Sequence, residues 1–394
     1  MLGTIILGTA IGILAGLTPG IHSNTFAALV VLYAAGFENA GVLIICSAIA
    51  YTIADIVPTT LLGVPDEETA LAVFPSHEMV LEGRAFEAIS LSALSSFLAL
   101  IFSLPLFFTA ILIGMHYDAV KAATPAILIF VSIFLIMSER ADVFEGRLAS
   151  WRKRLYAFLI FTASGLIGFV AFGHSYLAET NPAGSVLLPL LTGLFGAPVL
   201  MQSSGGQIPD QRIGIKLPDI NSTAKGALSG FMVSLFPGIS SGIATVIASL
   251  GESRREGYIA AMSAANTSNA LLCLYMLTAA GKTRSGVADA LKKLAYIPSF
   301  QEIIVISVIS GLLALAATLV ISFFIISKIK NLSLSLLSVT IFAFLILLVY
   351  YFTGIFGLAL FFTAIPIGLS ATLLQVKRIN CMGCLIIPIL FHYL

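Results

Sequence analysis

The chain has 394 residues, of which 59% are hydrophobic and only 10% are charged. A soluble protein carries roughly 25% charged residues, so 20 basic and 19 acidic residues cannot cover the surface of a soluble domain of this size. The composition predicts a polytopic membrane protein and excludes a soluble enzyme, and the net charge of +1 leaves no basic field for nucleic acid.

The first segment, MLGTIILGTAIGILAGL, has neither a charged amino-terminal region nor a cleavage signal. We therefore predict that it is the first membrane element and not a signal peptide. Residues 1–37 contain no Asp, Glu, Lys or Arg, and they are interrupted at Thr18, Pro19 and Gly20. Because a spanning helix needs ~20 mostly apolar residues, this segment could hold nearly two passes.

Further uncharged or nearly uncharged stretches follow, and they are much longer than the strands of a membrane barrel. The stretch 331–376 is long enough for two helices that turn near Gly354 or Gly357. We predict an all-α polytopic membrane protein with roughly ten to twelve membrane elements, some of them short. The stretches are 39–54, 88–117, 122–138, 155–178, 183–201, 226–251, 257–281, 303–327, 331–376 and 379–394.

The charged residues are concentrated between these stretches. The segment 138–154 contains Arg140, Arg147, Arg152, Lys153 and Arg154, and this basic loop is predicted to face the cytoplasm. Residues 202–222, QSSGGQIPDQRIGIKLPDINS, are polar and rich in Gly and Pro. We interpret them as a connector between a first membrane repeat over 1–201 and a second over 223–394.

The two halves share a short sequence. Residues 8–23 read GTAIGILAGLTPGIHS and residues 226–241 read GALSGFMVSLFPGISS, with a constant offset of 218. Seven of the sixteen positions are identical, and they include the unusual pattern Pro-Gly-Ile-x-Ser. This predicts an internal duplication, with two related repeats of inverted topology.

A Pro-Gly pair inside an apolar run predicts a broken helix, because Pro removes a backbone donor and Gly allows conformations closed to other residues. The next helix starts with free N–H groups, which cannot face lipid and suit an anion. Matching breaks in two repeats favour a transporter's substrate site, although two packing kinks would give the same pattern. The predicted substrate-binding residues are Pro19, Gly20, Ile21, His22, Ser23, Asn24, Pro237, Gly238, Ile239, Ser240 and Ser241.

Asp55 follows sixteen uncharged residues and precedes Thr59 and Thr60. An acidic group inside a membrane helix costs roughly 2.5–3.5 kcal/mol on insertion scales and usually marks an ion or substrate path. Asp55 could bind a coupling cation, Na⁺ or H⁺, or pair with a basic residue. The alternative is an aspartate at the helix end, level with the lipid head groups.

Four consecutive polar residues, from Asn266 through Thr267 and Ser268 to Asn269, interrupt the stretch 257–281. They cannot all lie on one side of a helix, so they suggest an unwound segment whose oxygen atoms suit Na⁺ or a substrate. The alternative is hydrogen bonding between packed helices.

Other polar residues leave two interpretations open. His22 could relay a proton or bind an anion, or it could be structural. Lys282 and Arg284 could attract an anion or belong to a basic loop. A polar patch could lie in a solvated loop or form part of a mobile gate, and it consists of Asp66, Glu67, Glu68, His77 and Glu78. Cys381 and Cys384 are interpreted as buried thiols. Neither a catalytic arrangement nor a metal or cofactor site is predicted.

Several of these motifs resemble the large membrane subunit of tripartite tricarboxylate transporters. The resemblance includes both Pro-Gly-Ile motifs, the Glu82-Gly83-Arg84-Ala85 element within residues 60–97, and the segment AMSAANTSNALL at 261–272. Ser263 stands where that family has Glu, and the loop at 66–68 is acidic where the family's is neutral, which disfavours a tricarboxylate as the substrate. The chain is similar to the shorter, archaeal-type members.

The resemblance implies a secondary active permease that takes up an organic anion, such as a carboxylate, with ion coupling and alternating access. It also implies a plasma-membrane location, an extracytoplasmic binding protein and a small membrane subunit as partners. A flippase for a polyprenyl-phosphate lipid carrier is the alternative, because helix starts suit phosphate as well as carboxylate. A non-transporting membrane scaffold is a third possibility.

Overall fold

The computed structural model describes all residues except 19–22, 34–36, 65–67, 115–116, 141–145, 179–184, 203–208, 236–240, Ser253, 329–333 and Leu394. The described part is helical and contains no strand, which confirms the predicted all-α class. Its helices, in chain order, are α1 (Leu2–Leu17), α2 (Ser23–Tyr33), α3 (Ala40–Ala54), α4 (Ile56–Leu62), α5 (Val73–Leu81), α6 (Ala85–Ser103), α7 (Leu106–Gly114), α8 (Tyr117–Met137), α9 (Gly146–Gly173), α10 (Leu187–Leu191), α11 (Ala197–Gln202), α12 (Ile220–Leu235), α13 (Ser241–Ser249), α14 (Arg255–Ala280), α15 (Gly286–Lys293), α16 (Phe300–Lys328), α17 (Leu334–Leu373) and α18 (Gly383–Tyr393).

Five segments of the described chain are long and apolar enough to cross a membrane, as expected of a polytopic membrane protein. Five more apolar helices are shorter, in agreement with the prediction that some elements are short. The long segments are Ala40–Leu62, Ala85–Ser103, Leu148–Gly173, Phe300–Lys328 and Ser338–Leu373.

The last long segment contains the turn that its length predicts. Gly354 has φ of 63° and ψ of −156°, which interrupts the helical geometry of α17. Only glycine adopts this conformation without strain. Gly354 therefore divides α17 into two helical parts, whereas Gly357 does not interrupt it.

The helix boundaries of the two halves are equivalent. With the offset of 218, the bounds of α1 coincide with those of α12, and Ser23, where α2 begins, corresponds to Ser241, where α13 begins. Both α1 and α12 end two residues before a Pro-Gly pair, as predicted for a broken helix. The Pro-Gly residues themselves lie outside the described part of the chain.

The first helix of each half packs against a later helix of the same half in one common register. A Cβ atom on Gly8 of α1 would lie 2.8 Å from the Cβ atom of Cys46 in α3, and one on Gly226 of α12 would lie 2.8 Å from the Cβ atom of Ala264 in α14. Cys46 and Ala264 are again 218 residues apart. This equivalence supports the duplication, although the boundaries of the repeats stay a prediction.

The halves form a shared core because one helix of each half packs against the other half. Helix α6 lies against α12 and α14, while α16 lies against α1 and α3. Hydroxyl groups join these contacts: Ser103 Oγ donates to Ser268 Oγ at 2.8 Å, and Thr9 Oγ1 donates to Ser310 Oγ at 2.9 Å. Helix α14 consequently lies among α3, α6, α12 and α13.

The Glu82-Gly83-Arg84-Ala85 element contacts the connector, residues 202–222, and links it to this core. Gly83 has φ of +78°, and a Cβ atom there would lie 2.7 Å from the carbonyl oxygen of Asp210. The Arg212 N–H donates to the Gly83 carbonyl at 2.8 Å, and the Arg84 guanidinium pairs with Glu87 at 2.8 Å and with Glu256 at 3.1 Å. These contacts give the element a structural role between α6, α14 and the connector.

We expect Gly12→Ala and Gly230→Ala to lower the thermal unfolding temperature of the purified protein by similar amounts. The new methyl groups would overlap the carbonyl oxygens of Ser47 and Ala265, which are equivalent positions, and overpacking of this kind costs about 1–3 kcal/mol. Gly3→Ala is the matched control, because a Cβ atom there meets nothing within 4 Å. Unfolding temperatures equal to that of the control would show that the two interfaces do not depend on close backbone contact.

Candidate functional site

Asp55 lies inside a membrane-spanning segment and not at its end. Helices α3 and α4 form one apolar segment, Ala40–Leu62, which bends between them because Pro58 cannot donate a hydrogen bond to the Ala54 carbonyl. The Asp55 side chain, at this bend, is only 3% exposed. This burial favours a position inside the protein over the alternative of an aspartate at the level of the lipid head groups, and the depth of Asp55 in the membrane stays a prediction.

Asp55 is paired with a residue of the other half. Asn266 Nδ2 donates to Asp55 Oδ2 at 2.8 Å, and the neighbouring Thr267 Oγ1 donates to Thr52 Oγ1 at 3.1 Å. Thr52 and Asp55 are three residues apart and lie on one face of α3. Two adjacent polar side chains of α14 thus meet two polar side chains of α3 in a buried contact.

The prediction of an unwound segment at 266–269 is wrong, because α14 runs as a continuous helix from Arg255 to Ala280. Three of the four polar side chains form hydrogen bonds with neighbouring helices. Asn266 and Thr267 bind α3, while Ser268 Oγ donates to the Ala227 carbonyl of α12 at 2.7 Å. Helix α14 is enclosed by other helices, and its polar side chains form hydrogen bonds with them. The alternative of hydrogen bonding between helices is therefore correct.

A second polar layer follows Asp55 along α4. Thr59 Oγ1 donates to the Asp55 carbonyl at 2.9 Å and to Thr69 Oγ1 at 2.8 Å. Thr60 is fully buried, and its hydroxyl has no hydrogen-bond partner among the described residues. This hydroxyl can accept or donate a hydrogen bond to a bound ion or molecule.

The expectation of a solvated loop near these threonines is wrong for Glu68 and His77, while Glu78 is half-buried in α5. Glu68 is 5% exposed and His77 is 6% exposed, because the turn at Ala70–Ala72 brings both against α4 and α14. The neighbouring Asp66 and Glu67 lie outside the described residues. Charged and polar groups therefore extend from Asp55 into the protein interior.

The two broken helices meet at the start of α15. Asn24 Oδ1, near the start of α2, accepts a hydrogen bond from the Val287 N–H at 3.1 Å. Arg284 Nε donates to the Ser234 carbonyl, near the end of α12, at 2.9 Å. Since Arg284 and Val287 are three residues apart, the start of α2, after the first break, and the end of α12, before the second break, both contact this short segment.

This junction of the breaks is continuous with the Asp55 contact along α14. Cys273 Sγ lies 3.9 Å from Asn269 Oδ1 and 3.6 Å from the Arg284 carbonyl. Asn266, Asn269 and Cys273 follow a helical spacing of three and four residues, so they share one face of α14. The face spans roughly 10 Å between Asn266 and Cys273 at 1.5 Å per residue.

The structure thus brings together Asn24, Asp55, Thr59, Asn266, Thr267 and Asn269. Ser23 begins α2 and is buried, and Ser241 begins α13. The side-chain oxygen of Asn24 accepts a hydrogen bond from the first turn of α15. The other predicted substrate-binding residues lie outside the described part of the chain: Pro19, Gly20, Ile21, His22, Pro237, Gly238, Ile239 and Ser240.

Sequence reasoning missed Thr52 and underrated Arg284. Thr52 could have been found from its spacing, because it lies three residues before Asp55 in a predicted helix. Arg284 was grouped with the lysines of a basic loop, and nothing in the sequence shows that it reaches back to Ser234. Cys381 and Cys384 are buried free thiols, as interpreted from the sequence.

Comparison with known proteins identifies relatives of the whole chain. The family model described as "Tripartite tricarboxylate transporter TctA family" matches residues 2–383. An uncharacterized protein of Methanocaldococcus jannaschii is 30% identical over 404 aligned residues, which cover 99% of this chain and 98% of the relative. No solved structure matches the chain significantly.

Proposed function

Since the chain belongs to the tripartite tricarboxylate transporter TctA family, we propose that it is a secondary active permease for an organic anion such as a carboxylate. The observation that supports this function best is the convergence of both broken helices on the Arg284–Val287 segment. The half-buried guanidinium group of Arg284 binds the end of α12, just before the second break. Such a junction suits an anionic group that must be bound without water on all sides.

The helix starts after Pro19-Gly20 and Pro237-Gly238 would hold the carboxylate together with Arg284. Free N–H groups at these starts and the positive ends of the helix dipoles favour negative charge. Asn269 lies one turn of α14 from the Asp55 contact and beside Cys273, which touches the Arg284 carbonyl. It would orient the substrate through its amide group.

The Asp55 contact would hold the coupling ion, Na⁺ or H⁺. Asp55, Thr59, Thr60, Asn266 and Thr267 supply carboxyl, hydroxyl and amide oxygens in a buried setting, and such oxygens suit Na⁺. A proton on Asp55 would serve the same purpose, because it removes the charge that is costly to bury. The shared α14 face joins this ion site to the anion site, which is the arrangement that coupling requires.

Alternating access would follow from a movement of helix pairs against each other. The pair of α1 and α3 and the pair of α12 and α14 each pack through glycine contacts, whereas the two pairs meet through the Asn266–Asp55 and Thr267–Thr52 hydrogen bonds. Hydrogen bonds between short polar side chains can exchange partners at a small cost in free energy. A shift of one pair against the other would change access to both ion and anion.

In this proposal the protein is a multi-pass protein of the plasma membrane and works as a transporter and not as an enzyme. The family name describes a tripartite transporter. We therefore expect an extracytoplasmic binding protein that delivers the anion and a small membrane subunit. The lipid-carrier flippase becomes an outcome of the transport test, in which lipid phosphate would reach the opposite leaflet.

Purified protein in proteoliposomes should take up mono-, di- or tricarboxylates saturably when a Na⁺ or proton gradient is imposed. Gly20→Val and Gly238→Val should abolish uptake, because a branched side chain cannot adopt the backbone conformations open to Gly at a helix break. Membrane insertion should stay intact. Gly3→Val is the control variant, since its Cβ meets nothing within 4 Å. Normal uptake in both Gly20→Val and Gly238→Val would remove these residues from the mechanism.

Asp55→Asn should abolish gradient-driven accumulation and preserve exchange of labelled for unlabelled carboxylate. The amide keeps the shape of the carboxyl group and can still bind Asn266, but it cannot carry the charge or the proton. Glu38→Gln, an exposed acid outside the site, is the control. Accumulation that still follows the Na⁺ or proton gradient in Asp55→Asn would place the coupling ion elsewhere.

Arg284→Gln should raise the KM for the carboxylate by roughly 10- to 100-fold, since a hydrogen-bonded charge contributes about 1.5–3 kcal/mol. Gln can still donate to the Ser234 carbonyl, so the fold should be preserved. Lys292→Gln on the exposed side of α15 is the matched loss of positive charge. Equal KM values for the two variants would contradict a role of Arg284 in anion binding.

A further inference from the structure

A cavity of about 880 Å³ lies apart from the site described above. Its walls are α5, the end of α8, the end of α13 and the segment between α17 and α18. None of Asp55, Thr59, Thr60, Asn266 and Asn269 lines it.

The cavity and the junction of the breaks lie at different depths along α12. Lys225 pairs with Glu252 of the cavity wall at 3.2 Å, and Ser234 accepts the bond from Arg284. Nine residues separate Lys225 from Ser234. At 1.5 Å per residue this corresponds to roughly 13 Å.

The described wall of the cavity carries an excess of positive charge. Only Glu78 and Glu252 are acidic, and both already have basic partners: Glu78 pairs with Arg255 at 3.4 Å, and Glu252 pairs with Lys225. The basic residues of the wall are Arg140, Arg254, Arg255, Lys377 and Arg378.

Arg378 is the basic residue whose donors are least satisfied. Its Nε and Nη2 atoms both donate to the hydroxyl of Thr372, at 3.1 and 2.8 Å, and its guanidinium lies over the Phe74 ring, 4.7 Å from the centroid. The Nη1 atom is buried and has no hydrogen-bond partner among the described residues. Burying part of a guanidinium group that has no carboxylate in ion-pair contact costs free energy, unless a ligand supplies the missing charge and hydrogen bond.

The rest of the cavity wall is largely apolar. Phe74, Phe134, Leu135, Phe195, Leu250 and Ile379 surround the basic groups. A ligand that satisfied Arg378 and filled this volume would need a negatively charged head and an apolar body. Inorganic anions would leave the apolar wall uncovered, and neutral hydrocarbons would leave Arg378 unpaired.

We propose that this cavity is a binding site for an amphiphilic anion, whose carboxylate or phosphate group binds Arg378 and whose apolar body lies on the surrounding aromatic and aliphatic side chains. Arg140 and Ser138 place the cavity beside the basic loop that is predicted to face the cytoplasm. The ligand can come from the cytoplasm as an organic acid or from the bilayer as an acidic lipid.

The first test uses the purified full chain in nanodiscs of pure phosphatidylcholine. Octanoate should bind in calorimetry and raise the unfolding temperature if the ligand is a soluble acid. Phosphatidylglycerol, added to the discs, should raise the unfolding temperature if the ligand is a lipid. Octylammonium has the same apolar body with the opposite charge and should not bind. Equal binding of octylammonium, or no response to either anion, would overturn the proposal.

The second test locates the site. Arg378→Gln should weaken binding of the effective anion at least tenfold, while Arg152→Gln, an exposed charge of α9 outside the cavity, should leave it unchanged. Without ligand, Arg378→Gln should unfold at the same or a higher temperature, because it removes an unmatched buried charge. Unchanged affinity in Arg378→Gln, or a lower unfolding temperature without ligand, would overturn the assignment. Arg378→Lys keeps the charge and should retain part of the affinity.

Discussion

The described part of this structure depends on one constraint: a polar group inside a membrane protein must be satisfied by the protein, because the bilayer core offers no water. Helix α14 meets this constraint by being enclosed. Asn266 and Thr267 form hydrogen bonds with Asp55 and Thr52 on one side of it, and Ser268 forms one with Ala227 of α12. A helix that faced lipid on any of these sides could not carry four polar residues in succession.

Short polar side chains can reach their partners only if the helix backbones lie close together. Glycine provides this closeness in both halves, where α1 meets α3 and α12 meets α14. Gly8, Gly12, Gly226 and Gly230 therefore set the distance between these helices. They hold α3 and α14 in positions from which an Asp and an Asn can form a 2.8 Å contact across 211 residues of sequence.

Features that depend on neighbouring residues can be predicted from the sequence, whereas features that depend on contacts between remote residues cannot. The ends of α1 and α12 follow from Pro-Gly, and the division of α17 follows from its length and Gly354, since each depends on neighbouring residues alone. The sequence could not tell an unwound segment at Asn266 from a buried helix, because the decision depends on Asp55, Thr52 and Ala227, which are remote in the chain. The same holds for Arg284, whose partner Ser234 lies 50 residues away.

The two repeats have equivalent helices but different polar residues. In the proposed function, this difference gives the protein one ion site and one anion site rather than two copies of each. At the offset of 218, Asp55 corresponds to Cys273, Asn266 to Ala48 and Asn269 to Tyr51. The polar contact between the halves is thus formed by non-equivalent positions and has no second copy. Arg284 corresponds to Asp66, a residue of opposite charge. The two repeats therefore supply similar breaks but differ in the charges that the sequence places after them.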